Sequence, residues 1–219
     1  MPRIEAIAFD MDGLMVDTET IGREAWRIVV EGMGCSFEDD VYPRIVGRRS
    51  DESAEIMRSY YKLSVPSEEL LREKTAAFFQ ILNKTVPVMP GLRTLHKEIV
   101  KRNIPWAVAT SSPCDYAADM LSRIQLQDGC HAIVGGDEVE RGKPSPDIYL
   151  LAAERLGLAP SKCLALEDSA PGCRAAIAAG MEVVAVPGNH TREEEFGFVR
   201  HVFNSLLQVA ENLDALINP

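Results

Sequence analysis

Long apolar runs are missing from this 219-residue sequence, and so is any excess of basic residues. No stretch approaches the roughly 20 apolar residues that a helix needs to cross a bilayer, so we expect no membrane segment. The formal net charge of −10 argues against a nucleic-acid partner, because such proteins present a basic surface to the phosphate backbone. Neither absence excludes a small phosphorylated substrate, since a few local cations can make the electrostatic potential inside a cleft positive.

Cysteine and histidine are also sparse. The five cysteines form no CxxC pair, which favours reduced thiols and predicts a cytoplasmic protein. The four histidines are scattered along the chain, and this argues against a zinc site. The apolar run before Asp10 is too short for the hydrophobic part of a signal peptide, so we expect no targeting segment. A monomer is the default expectation.

Short apolar runs, each bounded by Gly, Pro or polar residues, are typical of buried parallel strands. Helical patterns lie between most of them. This alternation predicts an α/β fold in which right-handed βαβ units form a doubly wound parallel sheet. The predicted strands are residues 4–9, 104–109, 132–134, 163–166 and 183–186.

The long interval between the first two predicted strands contains no convincing strand. Ile21, Ala25 and Ile28 lie at helical spacing, and Ser67 precedes a second helical stretch as a plausible N-cap. We therefore predict a helical insertion over residues 19–86. The core domain is then formed by residues 1–18 and 87–219.

Charged and hydroxyl side chains follow the predicted strands at the edge where the carboxyl ends of parallel strands meet. Carboxylates gathered there would destabilise one another without a counter-ion. A hard divalent cation with oxygen ligands resolves this repulsion, and Mg²⁺ is the cation that fits carboxylates and a phosphate oxygen. The residues are Asp10 and Asp12 after the first strand, Thr110 and Ser111 after the second, Lys143 after the third, and Glu167 and Asp168 after the fourth.

These residue types together indicate phosphoryl transfer. Asp10 is the predicted nucleophile, because a carboxylate can form an aspartyl phosphate. Asp12 lies two residues further on and is predicted to act as general acid toward the leaving oxygen, then as base toward water. Thr110, with the amides that follow it at Ser111, would bind phosphate oxygens, and Lys143 would screen the negative charge. Asp168 and Glu167 are predicted to complete the metal site.

The segment DMDGLMVDTE, at residues 10–19, resembles the first motif of the haloacid dehalogenase superfamily. Thr110, Lys143 and the pair Glu167-Asp168 match its second, third and fourth motifs. The resemblance implies a Rossmann-like core with an inserted helical cap. It also implies a Mg²⁺ ion held by Asp10, by the backbone carbonyl of Asp12 and by Asp168.

Several activities compete within that superfamily. Dehalogenases lack the second aspartate, so Asp12 argues against dehalogenation. Phosphatases and β-phosphoglucomutase share the core residues, but the histidine that the mutase has after the first motif aligns with Gly22 here. Its cap lysine and arginine align with Val46 and Ser50. These differences favour a Mg²⁺-dependent phosphatase.

The expected substrate is a small phosphate monoester, such as a sugar phosphate or phosphoglycolate, because a helical cap excludes bulk water around a small molecule. Arg48 and Arg49 are candidate specificity residues in the cap. Two alternatives stay open at this point. One is a β-phosphoglucomutase-type phosphomutase, and the other is a non-catalytic regulator that binds a phosphorylated ligand.

Overall fold

A computed structural model describes residues 3–45, 50–188 and 193–218 of the chain. The chain divides into two compact units, one formed by Met1–Asp17 with Pro87–Pro219 and the other by Thr18–Val86. Within the described residues, no helix combines the length and the apolar character that crossing a membrane requires.

The first unit is built on a six-stranded sheet with the strand order β3-β2-β1-β4-β5-β6. Every neighbouring pair is parallel, which confirms the predicted α/β fold with a doubly wound parallel sheet. The strands are β1 (Ala6–Phe9), β2 (Trp106–Ala109), β3 (Ala132–Val134), β4 (Cys163–Glu167), β5 (Glu182–Ala185) and β6 (His201–Val202).

Helices cover this sheet and form most of the second unit. Those of the second unit are α1 (Thr18–Gly32), α2 (Ser50–Tyr60) and α3 (Ser67–Lys84). Those of the first unit are α4 (Leu92–Lys101), α5 (Cys114–Arg123), α6 (Asp147–Arg155), α7 (Ala170–Ala178), α8 (Leu206–Glu211) and α9 (Leu213–Ile217).

Small residues on one face of the sheet let two helices pack closely against it. Side chains alternate between the faces of a strand, so Ala6 and Ala8 of β1 point to the same side. Both belong to one buried apolar cluster with residues of α6 and α7, among them Tyr149 and Cys173. This packing fixes the two helices that carry residues of the site described below.

The position of β1 determines where polar side chains collect. β1 lies between β2 and β4, and the chain builds the sheet outward from it first in one direction and then in the other. Ligands of open α/β sheets bind at such a reversal, outside the carboxyl ends of the strands. The ladder continues one residue past β1, because the amide of Asp10 donates to the carbonyl of Leu166 over 3.0 Å.

The second unit has its own apolar core. Trp26 of α1, Met57 of α2 and Leu70 of α3 are buried in one cluster. Tyr42 joins this cluster, and its hydroxyl donates to the carbonyl of Glu19 over 2.9 Å. A separate core of this kind explains why the insertion forms a compact unit by itself.

Some features differ from the sequence-based expectations, among them two elements and the start of a third. Helix α2 was not predicted, because its apolar pattern is weak and only Ser53, Ala54 and Met57 are buried. Strand β6 was missed because it has two residues and is defined by its pairing with β5. The N-cap position before α3 is taken by Pro66, and Ser67 is the first helical residue, so that part of the prediction was wrong.

Gly91, at the start of α4, lies against the backbone of Leu207 in α8. We expect its replacement by Ala to destabilise the first unit. Its φ is +88°, and a methyl group there would lie 2.2 Å from the amide nitrogen of Leu207. Gly157 is the matched control, since its φ is +69° with open space around it. Gly157→Ala should cost about 1–2 kcal/mol from the left-handed backbone alone, and Gly91→Ala should cost more. Urea unfolding measures the free energy of unfolding of both variants. Equal losses of stability would contradict the close contact between Gly91 and Leu207.

Candidate active site

Three carboxylates meet at the carboxyl edge of the sheet. Asp10 directly follows β1, Glu167 is the last residue of β4, and Asp168 follows it. All three are buried, and one oxygen of each lies within 4.8 Å of the others. Buried charges of one sign this close together need a cation to offset their repulsion.

Lys143 supplies one positive charge to this cluster. Its Nζ lies 2.5 Å from Oδ1 of Asp10 and 2.6 Å from Oε1 of Glu167, and it also donates to the carbonyl of Ala109 over 3.1 Å. Burial alone would lower the pKa of Lys143, but the carboxylates of Asp10 and Glu167 raise it above its ordinary value. The ammonium group therefore stays charged between the two anions.

Glu167 is occupied by donors at both of its carboxylate oxygens. Oε1 accepts from Lys143 and from the hydroxyl of Tyr149, the latter over 2.7 Å. Oε2 accepts from the amide of Ser169 over 3.2 Å and from its hydroxyl over 2.9 Å. Gly172 leaves the space for this carboxylate, because a methyl group there would lie 1.8 Å from Oε1. The arrangement makes Glu167 a fixed anchor for Lys143.

Asp10 and Asp168 have the donor chemistry that a divalent metal needs. Burial raises the pKa of Asp10 above its ordinary value, Glu167 and Asp12 add to this effect, and the ammonium group of Lys143 opposes it. A bound cation would instead favour the carboxylate form. The carboxylate of Asp168 lies against Gly13, where a methyl group would come within 2.0 Å of Oδ2. The cluster thus presents hard oxygen ligands that suit Mg²⁺.

Hydroxyl groups surround the side chain of Asp12. Oδ2 of Asp12 accepts from the hydroxyl of Ser112 over 2.6 Å and from that of Thr110 over 3.3 Å. Oδ1 accepts from the hydroxyl of Tyr116 over 3.2 Å. Thr110 is itself fixed, because its hydroxyl oxygen accepts from the amide of Ser112 over 3.1 Å. The side chain of Asp12 is therefore directed toward the loop after β2.

The structure brings most of the predicted site residues to this edge of the sheet. Ser111 lies in the loop after β2 and is exposed. The predicted cap residues Arg48 and Arg49 lie outside the described residues. The sequence reasoning did not assign roles to the residues that donate hydrogen bonds to the carboxylates of Asp12 and Glu167. These are Ser112 and Tyr116 beside Asp12, and Tyr149 and Ser169 beside Glu167.

Comparisons with known proteins identify the relatives of this chain. The family model described as "Haloacid dehalogenase-like hydrolase" matches residues 7–186. A protein of Thermotoga maritima named phosphorylated carbohydrates phosphatase is 36% identical, over 82% of this chain and 83% of its own length. The beta-phosphoglucomutase of Bacillus subtilis is 32% identical, over 84% of this chain and 83% of its own. The crystal structure of CbbY from Rhodobacter sphaeroides in complex with phosphate superposes with a TM-score of 0.74 at 29% identity, covering 94% of this chain and 96% of that one.

Tyr149→Phe should destabilise the protein, because it removes one donor from the buried carboxylate of Glu167. We expect a loss of about 1.5–3 kcal/mol in the free energy of unfolding, as for hydrogen bonds to buried charged groups. Tyr60→Phe is the matched control, since the hydroxyl of Tyr60 also donates over 2.7 Å to a carboxylate, that of Asp40, at the surface. That variant should change little. Urea unfolding gives the free energy of unfolding of each variant. Equal losses for Tyr149→Phe and Tyr60→Phe would contradict the anchoring role of Tyr149.

Proposed function

The chain belongs to the haloacid dehalogenase-like hydrolase family and is a phosphoric monoester hydrolase, and from this premise we propose that it dephosphorylates a small phosphorylated carbohydrate with Asp10 as nucleophile and Mg²⁺ as cofactor. The observation that carries the proposal is the buried group of Asp10, Glu167 and Asp168, joined by Lys143. An anionic nucleophile beside a fixed cation and further oxygen ligands suits an incoming phosphate group.

In the first step, a carboxylate oxygen of Asp10 attacks phosphorus and a new oxygen–phosphorus bond forms. The bond between phosphorus and the ester oxygen breaks, and its electron pair stays on that oxygen. Protonated Asp12 gives its proton to this oxygen, so the substrate leaves as an alcohol. The products of this step are an aspartyl phosphate at Asp10 and the carboxylate of Asp12.

In the second step, water attacks the phosphorus of the aspartyl phosphate and Asp12 takes a proton from it. The bond between phosphorus and the oxygen of Asp10 breaks, which releases inorganic phosphate and restores both side chains. Lys143 offsets the negative charge of the Asp10 carboxylate before the attack and again after phosphate has been released. Thr110 and the amide of Ser111 are our proposed ligands for the phosphate oxygens.

Asp10, Asp168 and the backbone carbonyl of Asp12 are the proposed ligands for Mg²⁺. The ion supplies electrostatic stabilisation of the phosphate group and offsets the repulsion among the carboxylates. Glu167 lies within reach of the same position, but its two oxygens already accept hydrogen bonds from Lys143, Tyr149 and Ser169. We therefore assign Glu167 the holding of Lys143 and not direct coordination of the metal.

The class of substrate is proposed from the relative that acts, by its name, on phosphorylated carbohydrates. The beta-phosphoglucomutase relative makes a phosphomutase the second candidate. The two share the first chemical step and differ in the acceptor, which is water in one case and a sugar phosphate in the other. A regulator that binds a phosphorylated ligand would catalyse neither reaction.

A phosphate-release assay over a panel of sugar phosphates, with and without Mg²⁺, tests this proposal. We expect release from some members of the panel, and loss of release when EDTA removes the metal. The panel includes β-glucose 1-phosphate with a trace of the bisphosphate. Formation of glucose 6-phosphate in that sample would identify the mutase, and no turnover of any ester would favour the regulator.

Asp10→Asn should abolish phosphate release because it removes the nucleophile. Its stability without metal should change little, since a neutral amide relieves the repulsion from Glu167 and Asp12 but also weakens the contact with the buried Lys143. Thermal unfolding in EDTA and the phosphate-release assay measure the two effects. Metal-dependent turnover retained by this variant would contradict the assignment of Asp10.

A further inference from the structure

Both carboxylate oxygens of Asp12 accept hydrogen bonds, and the donors to the two oxygens belong to different elements. Oδ2 accepts from Ser112 and Thr110, which belong to the loop after β2. Oδ1 accepts from Tyr116, which belongs to the first turn of α5. An aspartate held at one oxygen can still turn about its last side-chain bond, since that torsion has a broad energy well. A donor at the second oxygen fixes the plane of the carboxylate.

The position of the Tyr116 hydroxyl is itself determined by the start of α5. The amide of Cys114 donates to Oδ1 of Asp137 over 2.9 Å, and the amide of Ala117 donates to the carbonyl of Pro113 over 3.0 Å. Met120 of the same helix is buried. The phenol is therefore carried by an anchored helical turn and is half-buried.

We propose that Tyr116 is a positioning residue that orients the carboxylate of Asp12 for proton transfer to the leaving oxygen. This inference rests on the acid–base role given to Asp12 in the proposed function. Tyr116 acts through Asp12 and takes no part in the bond changes. Its loss then lets the carboxylate turn, so a smaller fraction of the molecules presents the proton correctly when the ester bond breaks.

The leaving group distinguishes this role from a general structural one. An alkyl phosphate releases an alkoxide that needs a proton, whereas p-nitrophenyl phosphate releases a stabilised anion that needs little assistance. We expect Tyr116→Phe to slow the first step with β-glycerol phosphate by about 5- to 10-fold, as for the loss of one hydrogen bond of ordinary strength, since the phenol is only half-buried. The rate with p-nitrophenyl phosphate should change by less than about 2-fold.

The test is single-turnover kinetics with enzyme in excess, following alcohol or nitrophenol release, for Tyr116→Phe, Asp12→Asn and the double variant. Asp12→Asn should slow alkyl ester cleavage by about 10²- to 10⁴-fold and aryl ester cleavage far less. Adding Tyr116→Phe to it should have no further effect, because the residue through which Tyr116 acts is already gone. Tyr60→Phe, which removes a surface hydroxyl from Asp40, should leave both rates unchanged.

Equal slowing of both esters by Tyr116→Phe, or a further loss in the Asp12→Asn background, would overturn the positioning role. Either result would assign Tyr116 to substrate binding or to the fold. If Asp12→Asn itself fails to discriminate between the two esters, the acid–base role of Asp12 in the proposed function fails instead. The two failures are therefore distinguishable within one set of variants.

Discussion

The interaction on which the site depends is the buried contact of Lys143 with two carboxylates. Its ammonium group lies between Asp10 and Glu167, and each of these side chains is buried. Removing such charges from water is costly, and the cost is offset only when hydrogen bonds surround the group. Tyr149 and Ser169 complete the set around Glu167, so the anion that holds Lys143 is itself held rigidly.

This rigidity has a direct consequence for the chemistry. A nucleophile and a screening cation act best when they need no rearrangement during the reaction. Glu167 ends a central strand and Asp10 follows its neighbour β1, so the sheet itself fixes the spacing of the cluster. Asp12 is held differently, by hydroxyl groups from a loop and a helical turn. In the proposed mechanism, Asp12 transfers protons and Asp10 is the nucleophile. Asp12 is thus positioned by a loop and a helical turn, whereas Asp10 is positioned by the sheet.

Much of the fold and of the candidate site was predictable from the sequence, and the limits have physical reasons. The strands of a buried parallel sheet are short continuous apolar runs, so the residues after them, such as Asp10 and Lys143, could be identified as neighbours. Tyr116 and Tyr149 could not, because each lies on a helix and meets its carboxylate only through the packing of that helix. Helix α2 has few buried apolar residues, and β6 exists only through pairing with β5.

The central claim is that Asp10 carries the phosphate group during the reaction. Acid quenching of the enzyme during turnover, followed by peptide mass spectrometry, tests it most directly, because low pH preserves an acyl phosphate long enough for analysis. The account predicts a phosphorylated peptide whose modification maps to Asp10 and is absent when substrate is omitted. A phosphate group found on another residue, or turnover without any phosphorylated enzyme, would contradict it.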